Sequence, residues 1–195
     1  MRVLAVSDIE EPVLYEETKQ TKIGKVDLII SCGDVKLSYL SYLATVYQGL
    51  LFFVRGNHDK AVTGELQFGE NLHNRFVNYQ GIKFLGFEGS PVYSNEGVQY
   101  TDFSIGIQVK KAILKSLILG SPDCVITHAP PKGIHDQSDY AHRGTAAYTD
   151  LIKWLKPRFF LHGHTHLNYN RNVPRITQIG PTTVINVYGY YLFEI

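Results

Sequence analysis

Asp8, Gly33-Asp34, Gly56-Asn57-His58-Asp59, His128 and Gly163-His164-Thr165-His166 each follow closely on a short apolar run. Carboxylates, an amide oxygen and imidazoles form a mixed oxygen and nitrogen donor set. Such a set suits Mn, Fe, Zn or similar divalent ions and does not resemble a thiolate site. The donors are too many for one ion. Two ions about 3.5–4 Å apart, sharing a carboxylate, would use them, activate a water at neutral pH and clamp phosphate oxygens during in-line attack. Taken singly, Asp8 and Asp34 read as ordinary turn residues after strands. Only the joint pattern turns the reading towards a metal site.

The elements that must position these groups are legible as apolar periodicity. Arg2 to Ser7, Val26 to Ser31 and Leu50 to Arg55 are continuous apolar runs, as expected of strands buried on both faces. Leu37, Leu40, Leu43, Ala44 and Tyr47 have helical spacing between the second and third, which makes a βαβ unit. Phe76 to Tyr79 and Ile82 to Phe87 flank Gln80-Gly81 as a hairpin. Asp102 is placed to cap a helix over Phe103 to Leu119, with Ile105, Val109, Ala112, Ile113, Ser116 and Leu117 inward. Cys124 to Thr127 and Phe159 to Leu161 are further strands around a helix from Thr145 to Leu155. Thr182 to Val187 and Tyr190 to Glu194 read as a closing hairpin about Tyr188-Gly189. The fold class expected is α/β: two packed mixed β-sheets flanked by helices, in one domain over residues 1–195. In open α/β sheets ligands bind at the carboxyl ends of strands, where all five motifs fall.

In order, the motifs resemble those of the calcineurin-like metallophosphoesterases: D-x-H, G-D, G-N-H-D/E, a lone H, then G-H-x-H. They run from Asp8 to His166, most of the chain. The run from Thr127 to Asp136 is similar to the small phosphodiesterase branch. The resemblance implies a four-layer α/β/β/α sandwich and a dinuclear phosphoesterase. Asp34 would bridge the ions, Asp8 and His166 would hold the first, and Asn57, His128 and His164 the second. His58 would act at the substrate as acid or clamp, with Asp59 orienting it. Arg55, Arg143, His135 and His142 are candidates to hold the substrate. His162 is expected to support the ligands from behind, and His73 to lie on the surface. One position departs from the family. The chain has Asp8-Ile9-Glu10 where D-x-H has histidine, so Glu10 is a candidate carboxylate ligand. It would make the first site more anionic and shift it towards Mn or Mg, Mn being the expected metal.

Nineteen Lys and Arg against eighteen Asp and Glu leave a net charge of +1. That balance disfavours a nucleic-acid partner and strong attraction to an acidic membrane. No run approaches the ~18 apolar residues of a membrane span, and no secretory leader is read at the start. Cys32 and Cys124 sit in apolar runs as free thiols, which suggests a cytoplasmic setting. The expected partner is a small phosphorylated substrate, a diester or nucleotide-like molecule before a phosphoprotein; self-association stays open. Tyr93, Tyr140, Tyr148 and Tyr169 could stack on a base, but packing is favoured, and Lys110, Lys111 and Lys115 read as a wet helix face. The rival functions are a scaffold protein on the same fold, like the retromer subunit, and a DNA nuclease.

Overall fold

The computed structural model describes residues 1–59, 69–168 and 174–195; Tyr169 lies outside them. The chain runs β1 (Arg2–Ser7), a 3₁₀ turn (Pro12–Tyr15), α1 (Glu17–Ile23), β2 (Leu28–Ser31), α2 (Leu37–Tyr47), β3 (Leu50–Phe53) and β4 (Gly69–Asn71). It continues with β5 (Phe76–Tyr79), β6 (Ile82–Phe87), β7 (Ser90–Pro91), β8 (Gln99–Tyr100), α3 (Asp102–Leu119) and β9 (Cys124–Thr127). It ends with α4 (Ala146–Leu155), β10 (Phe159–His162), β11 (Ile176–Ile179), β12 (Thr182–Asn186) and β13 (Gly189–Glu194).

Two mixed sheets result. One has the order β13-β1-β2-β3-β4 and the other β11-β12-β10-β9-β6-β5, with β7 and β8 paired apart. The alternation of side chains along a strand sorts the apolar residues into three cores. Val3, Ala5, Leu28, Ile30 and Phe52 meet Phe84, Cys124, Ile126, Leu161 and Ile185 between the sheets. The opposite faces of the first sheet, Leu4, Val6, Ile29 and Leu51, pack on Ile23, Leu40, Leu43 and Tyr47 of α1 and α2. Those of the second, Leu85, Val125, Phe160 and Val184, pack on Ile105, Val109, Leu151 and Ile152 of α3 and α4. The order is therefore helix, sheet, sheet, helix, as expected. Both cysteines are free and buried, and no helix among the described residues is long and apolar enough to cross a membrane.

The predicted β5–β6 hairpin forms, Gln80 and Gly81 both taking positive φ in its turn, as a two-residue connection of right-twisting strands demands. The closing hairpin does not. β12 pairs with β10 and β11 in one sheet, whereas β13 runs antiparallel to β1 in the other. The chain changes sheets at Val187-Tyr188, and the terminal hairpin is β11–β12, turning at Gly180-Pro181. Thr101, not Asp102, caps α3, its hydroxyl accepting from the Ser104 N–H at 3.1 Å. Leu117, read as inward, is 80% exposed.

Candidate metal centre

The parallel run β1-β2-β3 sends its carboxyl ends to one edge, and parallel β9 and β10 do the same in the facing sheet. The motif residues follow those ends. Asp8, Asp34 and His164 all adopt left-handed backbone, with φ of 68°, 57° and 65°, because each must turn its strand's exit sharply. The Asp8 N–H donates to the Gly33 carbonyl at 3.1 Å. The Asp8 carboxylate in turn accepts the His164 N–H at 3.0 and 3.1 Å, joining the two sheets. Two glycines permit the approach: a Cβ on Gly56 would collide with the Asp34 carboxylate, and one on Gly163 with Ser7 and Asp8.

Around this frame the side chains converge. His128 Nε2 lies 3.2 Å from Asp34 Oδ2 and 2.7 Å from Asn57 Oδ1. His166 Nε2 lies 3.8 Å from Asp8 Oδ1. The rings of His128 and His164 are 4.9 Å apart. One ligand atom each from Asp8, Asp34 and His128 falls within 4.8 Å of the others. The His58 N–H donates to Asp34 Oδ1 at 2.8 Å while its ring stays exposed. A cleft of about 490 Å³ opens over the group, lined by Asp8, Asp34, His58, His142, His164 and His166. A neighbouring cavity of about 750 Å³ shares His58 and Tyr93 with it.

The donors fit divalent ions. His128 Nδ1–H donates to the Cys32 carbonyl at 2.7 Å, which leaves Nε2 as the atom facing the carboxylates. His164 donates Nε2–H to the Ala141 carbonyl at 2.8 Å, which leaves Nδ1 free to ligate. A carbonyl that fixes the tautomer of a histidine from behind is the usual support of a ligand. The electrostatics agree. Burial alone would lower the pKa of His128, but the Asp34 carboxylate outweighs it and raises the value to about 9. Burial would likewise raise Asp34, but the His128 charge and the His58 N–H bring it down to about 2. Burial pushes Asp8 up and, with the His128 charge, holds His164 down at about 3. Without metal, a proton on His128 balances carboxylates that are set for a cation.

Several predicted residues lie elsewhere or act differently. Glu10 is engaged away from the cluster: Lys36 Nζ is 3.1 Å from Oε1, and the Tyr15 hydroxyl donates to Oε2 at 3.2 Å. Arg55 holds no open fork for phosphate, since its Nε and Nη2 donate to the buried Glu88 at 2.8 and 2.7 Å. Arg143 pairs with Asp102 at 3.2 Å and covers the Tyr140 ring. His135 is buried with its Nδ1 on His162 Nε2 at 2.9 Å and its Nε2 on the Thr177 hydroxyl at 2.8 Å. His73 is not a free surface group, since it stacks on Tyr100. The Asp59 carboxylate accepts the N–H groups of Asp34 and Gly56 at 2.9 and 2.7 Å, so it fastens backbone and not the His58 ring. His162 is buried, its Nδ1–H donating to the Gly163 carbonyl at 2.9 Å. Tyr93 has a role that spacing did not reveal: its hydroxyl accepts the Asn57 amide N–H at 2.7 Å, aiming the amide oxygen at His128. The Cys32 and Ala141 carbonyls had no sequence signal at all.

A fold of two helix-flanked mixed sheets with oxygen and nitrogen donors at its strand ends defines a metallophosphoesterase scaffold. The chain belongs to the calcineurin-like phosphoesterase family, whose sequence profile matches residues 1–168. A Haemophilus influenzae protein is 24% identical over 201 residues, 85% of each chain. The crystal structure of TT1561 from Thermus thermophilus superposes with a TM-score of 0.65 at 17% identity, over 96% of this chain and 89% of that one. A Staphylococcus aureus structure described as a candidate 5′-nucleotidase superposes at 0.52 with 12% identity, over 95% of this chain and 48% of that one. These likenesses concern the fold.

Proposed function

We propose that the protein is a dinuclear metal-dependent phosphoesterase acting on a small phosphodiester or nucleotide-like substrate. The carrying observation is the meeting of Asp8, Asp34, Asn57, His128, His164 and His166, drawn from both sheets, with Asp8, Asp34, His164 and His166 lining one cleft. Asp34 would be shared between the two ions; Asp8 and His166 would hold the first, and Asn57, His128 and His164 the second. Two divalent ions, Mn first among those that suit the donors, supply Lewis acidity and water activation at neutral pH when bound. The chain's own residues do the rest. Tyr93 and the Cys32 and Ala141 carbonyls orient the donors. His58, exposed where the cleft meets the neighbouring cavity, is placed to give a proton to the leaving oxygen. That second cavity supports a diester, which has a group to seat on each side of the phosphorus. Free buried cysteines suit a cytoplasmic enzyme.

With Mn²⁺, the protein should hydrolyse bis-p-nitrophenyl phosphate, and His58→Ala should lower kcat at least about 100-fold with KM little changed, as for an interaction made mainly in the transition state. Absence of turnover with every divalent ion would overturn this reading. It would favour the scaffold alternative, which the diversion of Glu10 to Lys36 supports.

A further inference from the structure

The first ion's donors, as proposed above, are Asp8, Asp34 and His166, and the histidine of the D-x-H pattern is missing from that set, since the chain has Asp8-Ile9-Glu10 there. Glu10, the sequence candidate, has one oxygen on Lys36 and the other on Tyr15. His142 lines the same cleft as Asp8, Asp34 and His166. Its ring is 6.3 Å from that of His166 and 5.2 Å from that of His164, centre to centre.

His142 is also held as ligands are held. Its Nδ1 lies 2.9 Å from Asp139 Oδ1. A carboxylate only accepts, so Nδ1 carries the hydrogen. The same oxygen accepts the N–H groups of Ala141 and His142 at 3.1 and 3.0 Å, which fixes the loop as well as the ring. Nε2, on the far edge of the ring, has no hydrogen-bond partner among the described residues. The carbonyl of Ala141, the preceding residue, accepts from His164 Nε2, so the loop is tied to a residue that serves the second ion. A carboxylate behind an imidazole whose other nitrogen is unengaged, in a ring that lines the donors' cleft, is the arrangement of a metal-ligating histidine.

We propose that His142 is a ligand of the first metal ion and takes the place that Glu10 leaves empty; the inference rests on the dinuclear reading. The first donor set is then Asp8, Asp34, His142 and His166. Two nitrogens and two oxygens favour borderline ions such as Zn, Fe, Co or Mn over Mg, the reverse of the shift a Glu10 carboxylate would bring.

The test is metal content and affinity, not turnover. Wild type, His142→Ala, Asp139→Asn and Glu10→Gln are stripped, titrated with Zn²⁺ and Mn²⁺ by calorimetry, and counted by elemental analysis after gel filtration. The expected result is two ions in wild type and in Glu10→Gln. In His142→Ala one of the two affinities falls at least about 10-fold, and Asp139→Asn weakens the same site by a smaller factor. Circular dichroism checks that each variant is folded; His142 is partly exposed on a loop, so its loss leaves the core intact. His142→Ala holding both ions at wild-type affinity overturns the proposal and leaves His142 a substrate contact, read as a raised KM. Loss of an ion from Glu10→Gln overturns it too. A wild type that binds no ion sinks the dinuclear reading itself, a separate and recognisable outcome.

Discussion

Arg55 looks in the sequence like a phosphate clamp and in the structure like a strut, and one substitution separates the two. Both oxygens of Glu88 face the Arg55 guanidinium, at 2.8 and 2.7 Å, and one also accepts the Tyr100 hydroxyl at 2.7 Å. The Glu88 side chain is 2% exposed and that of Arg55 24%. Arg55→Met keeps the stem and removes the fork, leaving a buried carboxylate with a single hydroxyl donor. Breaking a buried pair from one side costs about 3–5 kcal/mol. Water can reach the partly exposed arginine end, so the lower figure, about 3 kcal/mol, is expected. For a chain of this size that lowers Tm by roughly 6–12 °C. The pH dependence gives a second signature. Burial would raise Glu88, but Arg55 and Tyr100 outweigh it and hold its pKa below the ordinary value. A depressed carboxylate stabilises the fold above its unfolded pKa, and that stability is lost as pH falls through the folded value. In Arg55→Met the depressing partner is gone and burial dominates, so the gap between variant and wild type should narrow on acidification from pH 7 towards pH 4. Urea unfolding at several pH values measures it, and Glu88→Gln with the double variant isolates the coupling. A stability loss under about 0.5 kcal/mol, together with a collapse of kcat/KM, would refute the strut and restore the clamp.

Two further outcomes follow from burial. His135→Phe deprives His162 Nε2 of its donor and should cost about 1–3 kcal/mol, whereas His135→Asn, with an amide N–H near the lost Nδ1–H, should recover much of it; urea unfolding measures both. Burial holds His135 down at about 4 and His162 at about 3, so metal-free protein should lose stability as pH drops below the ordinary histidine range and the unfolded chain takes up protons first. His135→Phe should flatten that fall. Leu117→Lys, at a position 80% exposed, should move unfolding stability by no more than about 0.5 kcal/mol; a loss of several would mean the inward reading of that side chain was right.

What could be read from the sequence divides by range of interaction. Periodicity located β1, β9 and the β5–β6 hairpin to the residue, because each rests on its own burial pattern or on the Gln80-Gly81 turn. It failed at Thr182 to Glu194. There, two apolar runs about a short turn look identical whether they pair with each other or with β10 and β1, and only distant strand edges decide. The six candidate donors that meet at the strand ends could be singled out because donor atoms demand particular residue types. Glu10, Arg55 and His135 could not be placed, since their positions depend on Lys36, Glu88 and His162, partners 26, 33 and 27 residues away. Carbonyl supports such as Cys32 leave no trace in residue type at all.

The backbone strain at the site has a purpose in this geometry. Left-handed conformation costs an ordinary residue about 1–2 kcal/mol, and Asp8, Asp34 and His164 all adopt it. Each carries an offsetting bond from another element. Asp8 N–H reaches the Gly33 carbonyl, Asp34 N–H reaches Asp59, and His164 N–H reaches the Asp8 carboxylate. These bonds do not depend on an ion, so the donors are fixed before one arrives and little ordering is left to oppose binding. The same bonds bring like charges together, which the proton on His128 relieves in the metal-free protein. On the proposed reading, a cation bound there would displace that proton and keep the framework, so occupancy should alter charge at the site far more than shape.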